Sequence, residues 1–410
     1  LLRLRSTLRA LFASVLPLFV LAHFTHHVIT AIAAPLLPLI RSSFSLSYTQ
    51  SGLLLSAFTV SYGLGHLPAG WLSDRVSAVP MIFVGIAGVA VGGVLFGLAP
   101  SFTLLVAANA LMGFAGSGYH PAASYLVSRV SKPEQRGAAL GVHVIGGSAS
   151  YFLAPLLAGA IAVGAGWRGT FIALSVPTLV LGVALVLLLQ RAAFRSGLIG
   201  KSKRADREPR RGRRFWIWLF SFLVLSTLSG ALVGSMVGFV PLLLVDLHGI
   251  REEAAAGLQA IIFSGGLWVA PLAGHLSDRV GKLPLLFVAC GIVAPAAFLL
   301  PRVPMGAGIY ILLVLIGVFL FMRMPVSESF LFAQAPARQR STLLGVYFLG
   351  SNLGGGVFTP VVGWLSDRHG FRYSFTAVAL AILVLAGVSG VILAAFRREG
   401  EPARRSPATG

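Results

Sequence analysis

Apolar runs of about 20 residues alternate with short polar segments along the whole chain. A helix of that length crosses a hydrocarbon core of about 30 Å. The pattern predicts twelve membrane-spanning helices, at residues 11–38, 48–71, 79–98, 102–129, 138–163, 169–190, 215–244, 254–275, 283–300, 306–331, 342–364 and 374–396. Inside hydrocarbon no water satisfies the backbone, so each span must close its own hydrogen bonds as a helix. The expected fold class is an all-α membrane protein.

Composition sharpens this reading. Of 410 residues, 56% are hydrophobic and only 11% charged, against about 25% charged in a soluble domain. The spans leave no room for a large soluble domain, which excludes a soluble enzyme, a secreted binding module and a transcription factor. The single cysteine, Cys290, lies in an apolar run, so an intramolecular disulfide and a cysteine metal cluster are excluded too.

The net charge of +20 does not point to nucleic acid, because the basic residues alternate between loops. With a cytoplasmic N-terminus, 25 of the 32 Lys and Arg fall on the cytoplasmic side and six outside: Arg41, Arg168, Arg251, Arg302, Arg368 and Arg372. This bias predicts a multi-pass protein of a bacterial inner (plasma) membrane with both termini cytoplasmic. Residues 191–214 hold ten basic residues against Asp206 and Glu208, and read as a solvated linker beside anionic lipid headgroups. Residues 397–410 read as a disordered cytoplasmic tail. Arg3, Arg5 and Arg9 precede an apolar run that contains Ala31-Ile32-Ala33, a mimic of a leader-peptide cleavage site. The run is longer than a leader core, and the repeat described next requires it as a span.

Sliding the chain against itself by 204 residues brings Gly70, Leu72, Ser73, Asp74, Arg75 and Val76 onto Gly274, Leu276, Ser277, Asp278, Arg279 and Val280. Pro80, Pro121, Arg136, Gly141 and Gly146 fall on Pro284, Pro325, Arg340, Gly345 and Gly350. Shared prolines and a repeated SDRV at helix ends are improbable by chance. The chain is therefore expected to be two pseudo-symmetric six-helix halves, residues 1–190 and 215–396, joined by the 191–214 linker. Parallel halves imply a pseudo-twofold axis along the membrane normal, with the functional site between them near mid-membrane.

Ionisable groups inside spans are costly and face a cavity or a partner. Of the twelve Asp and Glu, only Glu328 falls within a span, joined on it by Arg323. Five residues turn a helix by about 140 degrees, so the two do not share one face. Burial favours the protonated acid, a neighbouring guanidinium favours the carboxylate, and spacing alone does not choose. Arg323 suits an anionic substrate group, because its planar fork binds carboxylate or phosphonate through two hydrogen bonds; a structural ion pair or snorkelling is the competing role. His23 and His27 sit one turn apart on the first span, with His26 beside them. They could bind substrate or relay protons. Metal ligation by this pair lacks an acid or a cysteine to complete the set, so no metal is expected. The fourth span carries GSGYHPAAS at 116–124, where Pro121 and the glycines permit local unwinding at Tyr119 and His120. His66 and His143 read as packing residues. Ser150, Ala154, Pro155, Ala158 and Gly159 give the fifth span a small-residue face for close helix contact.

GWLSDRV at 70–76, GHLSDRVGK at 274–282 and GWLSDRHGFR at 363–372 resemble the signature of the major facilitator superfamily. The resemblance covers the whole chain and implies the major facilitator fold. It also implies a gating role for Asp74, Arg75, Asp278 and Arg279, which can bridge neighbouring helices in one conformation and release them in another. The first copy has Ser77, Ala78 and Val79 where the second has Gly281 and Lys282, which weakens its basic end. The fifth-span face is similar to that of drug and proton antiporters, although their fourth-span arginine is replaced by Asn109.

The stretch AHFTHHVITAIAAPLLPLIRSSFSLSYTQSGLL at 22–54, GYHPAAS at 118–124 and RGAALGVHVIGG at 136–147 resemble the fosmidomycin-resistance branch. That likeness implies a proton-driven exporter of drugs or small anionic compounds. Two acids expected in that branch fall on His27 and Ala122.

The reading that follows is a secondary active transporter, working as a monomer, whose partners are a small-molecule substrate, a coupling proton and the lipid bilayer. His23, His27, Tyr119, His120 and Arg323 are the candidate substrate contacts, and Glu328 the candidate proton carrier. No nucleotide-binding signature is present, so no cofactor is expected and a gradient must drive the cycle. The rival is an uptake symporter for an organic acid. A membrane enzyme would need a catalytic constellation that the spans do not offer.

Overall fold

The computed structural model describes residues 15–73, 78–131, 136–195, 212–334 and 340–396. The described chain is helical throughout: α1 (Leu16–Thr30), α2 (Leu37–Phe44), α3 (Tyr48–Ser73), α4 (Ala78–Leu98), α5 (Phe102–Gly116), α6 (Tyr119–Val130), α7 (Arg136–Arg195), α8 (Arg213–His248), α9 (Glu252–Val280), α10 (Lys282–Leu299), α11 (Ala307–Gln334) and α12 (Arg340–Ala395). Helices α7 and α12 each hold two crossings, broken at Gly166 (φ 61°) and Gly370 (φ 75°). Both glycines occupy the left-handed region that side chains avoid.

The first crossing differs from the expected single helix 11–38. It runs to Phe44 and breaks between Thr30 and Leu37, where Pro35 and Pro38 disfavour helical backbone in the residues before them. The fourth crossing breaks at Ser117 and Gly118, and Pro121, lacking an N–H, cannot donate back to Ser117.

The spans form two pseudo-symmetric six-helix halves, and the repeat is visible in geometry as well as sequence. Gly166 and Gly370, 204 residues apart, share a positive φ, as do Ser45 (φ 51°) and Gly249 (φ 64°). Arg168 Nη1 donates to Gly97 O at 3.0 Å, and its counterpart Arg372 donates from Nε to Pro301 O at 3.4 Å. Close approaches repeat too: a Cβ at Gly113 would strike Phe58 O, and one at Gly317 would strike Ile262 O.

The halves meet along two helix pairs, α3 against α12 and α7 against α9. Both seams are lined by small residues, since apolar lipid supplies no hydrophobic force and close packing must do the work. A Cβ at Gly52 would lie 2.8 Å from Thr359 O, and one at Gly159 2.6 Å from Glu253 O. At one face of the bundle the seam is polar. Arg41 pairs with Asp246 at 2.8 Å, Tyr48 Oη donates to the same carboxylate, and Ser42 donates to Glu252. Asp367 accepts from the backbone N–H of Tyr48 and Thr49, both at 2.8 Å. Large apolar side chains such as Val163, Val180, Val384 and Val391 point outward, as a lipid-facing surface requires.

Candidate functional site

Two polar clusters form in the interior, one in each half. In the first half, α1, α6 and α7 bring five histidines together, His23, His26, His27, His120 and His143. The ring centroids of His23, His27 and His120 form a near-equilateral triangle, with sides of 4.9, 5.1 and 5.3 Å. His27 Nε2 lies 3.2 Å from His120 Nε2. His143, which sequence reasoning set aside as packing, stacks on His23 at 4.3 Å. Its carbonyl accepts from His23 Nδ1 at 2.9 Å, and its own Nδ1 donates to Phe19 O at 3.1 Å. Glycines make the rings fit: a Cβ at Gly147 would lie 2.7 Å from His23 Nε2.

Tyr119 is fully buried and spends its hydroxyl on Phe19 O at 3.3 Å. Its ring stacks on His26 at 4.5 Å and on His23 at 5.6 Å. It therefore reaches the cluster through the histidines it supports. Asn109, at the place of the antiporter arginine, is buried and donates to Leu54 O at 2.7 Å, tying α5 to α3.

In the second half, Arg323 of α11 is anchored through Nη1. This nitrogen donates to Ser226 O at 2.9 Å and to Tyr347 Oη at 2.8 Å, while the buried Nε has no hydrogen-bond partner among the described residues. Ser226 Oγ and Ser327 Oγ, 2.6 Å apart, join α8 to α11 behind it. Gly230, one turn beyond Ser226 on α8, makes the space, because a Cβ there would overlap the guanidinium. Glu328 Oε1 is buried without a hydrogen-bond partner, and no ion pair joins it to Arg323 among the described residues. That agrees with the 140-degree offset expected from their spacing. Between the clusters, the Tyr151 ring lies 4.9 Å from His27 and 5.3 Å from Phe263 on α9, which in turn approaches Phe321 of α11 at 6.5 Å. Aromatic rings thus link the histidine cluster to the helix that carries Arg323 and Glu328.

The Major Facilitator Superfamily model matches residues 19–357 of this chain. The chain belongs to that superfamily and is a transporter. The fosmidomycin resistance protein of Escherichia coli (strain K12) is 25% identical over 373 residues, covering 89% of each chain. A probable 4-methylmuconolactone transporter of Cupriavidus pinatubonensis is 27% identical over 395 residues, 91% of this chain and 89% of its own length. The cis,cis-muconate transport protein of Acinetobacter baylyi is 23% identical, with 88% of each chain covered. Among solved structures, a bacterial homologue of the human lysosomal transporter Spinster, in an inward-facing and occupied conformation, superposes with a TM-score of 0.77 at 19% identity, over 96% of this chain and 98% of its own.

In this transporter the predicted site residues divide. His23, His27 and His120 come together, and Arg323 and Glu328 share one helix without pairing. Of the predicted gate residues, Asp74 and Arg75 lie outside the described residues, as does the side chain of Asp278, while Arg279 is exposed at the end of α9. The 191–214 linker lies mostly outside them, and the tail wholly so. Ser226, Ser327 and Tyr347 were not singled out from sequence. Hydroxyl residues are common in such spans, and only the tertiary meeting of α8, α11 and α12 gives these three a role. Asp367 was legible only as part of a third SDR copy.

Proposed function

We propose that this transporter exports small compounds, anionic ones among them, by proton-coupled alternating access. The observation that carries the reading is the second cluster: a guanidinium whose buried Nε and, five residues along the same helix, a carboxyl oxygen have no hydrogen-bond partner among the described residues. The fork can take a carboxylate or phosphonate. A carboxyl group with one oxygen unpartnered among the described residues can gain and lose a proton as its surroundings alternate between wet and dry. His23, His27 and His120 form the opposite pole of the substrate site, with Tyr119 behind them. With both termini cytoplasmic in a bacterial inner membrane, as the basic loops favour, the polar seam from Arg41 to Asp367 lies on the outer side. The cycle then opens that seam as the halves rock.

Kinship to the fosmidomycin resistance protein supports export. Kinship to the muconate and methylmuconolactone transporters, together with Arg323, supports the second reading, proton-coupled uptake of an organic acid. Growth of an exporter-deficient bacterium on a panel of toxic compounds that includes phosphonates separates them. Resistance from the wild type, lost in Glu328→Gln at equal membrane abundance, is the expected result. Selective hypersensitivity to one class would replace export by uptake, and full resistance in the variant would remove Glu328 from coupling.

A further inference from the structure

On sequence alone, the first-span pair His23 and His27 lacks a further metal ligand; the fold supplies one. His120 arrives from α6, and one ring nitrogen from each of the three lies within 4.8 Å of the others. A tetrahedral metal with bonds of about 2.1 Å sets its ligand nitrogens about 3.4 Å apart and its imidazole centroids about 5 Å apart. The His27–His120 nitrogen separation is 3.2 Å, and the three centroid distances run from 4.9 to 5.3 Å.

The outer contacts of the rings are also those of a metal site. His23 donates its Nδ1–H to His143 O, which leaves the Nε2 lone pair free. The Thr30 hydroxyl donates to His27 O, so its oxygen is left to accept from His27 Nδ1–H at 3.0 Å. His27 Nε2 is then a lone-pair donor as well, aimed at His120. A tertiary contact for His23 and a local one for His27 thus leave an Nε2 lone pair on each, and that of His27 faces His120 Nε2.

We propose that His23, His27 and His120 form a three-imidazole site for a divalent transition-metal ion of the Zn2+ type, with the fourth position left for an exogenous ligand. An all-nitrogen set excludes Mg2+ and Ca2+, which require oxygen ligands, and suits Zn2+, Co2+, Ni2+ and Cu2+. His23 and His27 are 5% and 7% exposed and His120 is half-buried, so of the three rings His120 is the one solvent reaches most easily. The inference rests on the proposed transport site only for its use: a bound cation would make this pole an electrophilic anchor for an anionic substrate oxygen. Its existence is independent of transport.

The test uses the purified full-length chain in lipid nanodiscs, with any affinity tag removed. Titration with Co2+ should give the intense visible bands of a tetrahedral ion at one equivalent, and X-ray absorption of the Zn2+-loaded wild type should count three imidazoles. His120→Asn should weaken Co2+ binding by about 100-fold or more, since even outer-shell losses cost 10–100-fold. Replacing the exposed His369 by Gln should change nothing. Absence of tetrahedral Co2+ bands, fewer than three imidazoles on bound Zn2+, or unchanged binding in a folded His120→Asn variant would each overturn the site. Neither readout involves transport. A metal-free protein that still gives Glu328-dependent resistance would leave the transport reading standing, and a loaded protein that transports nothing would leave the metal site standing.

Discussion

Asp367 caps the start of α3 in the opposite half through Thr49, the second residue of that helix: its Oδ2 accepts from the Thr49 backbone N–H at 2.8 Å and from Thr49 Oγ1 at 2.5 Å. The first N–H groups of a helix have no partner within it, and a carboxylate there also meets the positive end of the helix dipole. The third SDR copy thus holds the two halves together at the face where Arg41 meets Asp246. The pair and the cap are both solvent-exposed and so individually modest, but the cap places three hydrogen bonds on one carboxylate and should dominate the latch. Asp367→Asn keeps the shape and loses the charge. In a Cys290→Ala background, a cysteine at Ser51, which is fully buried at this seam, should then react with a membrane-impermeant thiol reagent about tenfold faster, as expected for losing about 1–2 kcal/mol of charge-assisted bonds. An unchanged rate would show that the latch lies elsewhere.

Gly230 offers a test of the Arg323 placement that leaves the arginine itself intact. A methyl at this position would overlap the guanidinium, whereas at Gly234, one turn further on, nothing lies within 4 Å. Gly230→Ala should therefore cut transport at least tenfold by pushing Arg323 off Ser226 and Tyr347, a displacement of the kind that costs about 100-fold when a positioning group moves by 1 Å. Gly234→Ala should be neutral. Uptake or efflux measured in vesicles at matched protein content decides it, and equal activity of the two variants would mean that Arg323 has room to move.

How much of this was legible beforehand depends on the range of the interaction. Helix 3.6-periodicity places His23 and His27 on one face, and the same arithmetic separates Arg323 from Glu328, because both statements concern a single helix. The 204-residue offset carried over to matched backbone conformations at Gly166 and Gly370, since a repeated turn demands the same left-handed residue. What was not legible is what depends on contacts between spans. His143 joined the histidines because its backbone carbonyl, which no side-chain pattern reveals, accepts from His23. Tyr347 met Arg323 through the packing of α12 on α8 and α11. The break in the first crossing was present in the sequence as Pro35 and Pro38, but the strong apolar run obscured it.

The two left-handed glycines give a paired stability test. Replacing Gly166 (ψ 179°) or Gly370 (ψ 171°) by Ala forces a Cβ into a region of positive φ and extended ψ that costs about 1–3 kcal/mol. Nothing lies within 4 Å of the added atom at either position, so strain alone is at work. Each variant should lower the midpoint of thermal unfolding in detergent by a similar few degrees. Unchanged midpoints in both would mean that the connecting turns relax freely.

Arg323→Ala separates the two readings of that arginine. If its unspent Nε side meets substrate, the variant should lose transport of carboxylates and phosphonates by about tenfold or more relative to neutral compounds, since hydrogen bonds to charged groups are worth about 1.5–3 kcal/mol. Arg323→Lys should restore little, because a point charge cannot reproduce the planar fork that also reaches Ser226 and Tyr347. If Arg323 serves only to join α11 to α8 and α12, all substrates should fall together and the protein should unfold earlier. Competition between one anionic and one neutral compound in the same vesicles, with the unfolding midpoint measured in parallel, distinguishes these outcomes. Selective loss of the anion at an unchanged midpoint supports the binding role, and parallel loss at a lowered midpoint assigns the arginine to structure.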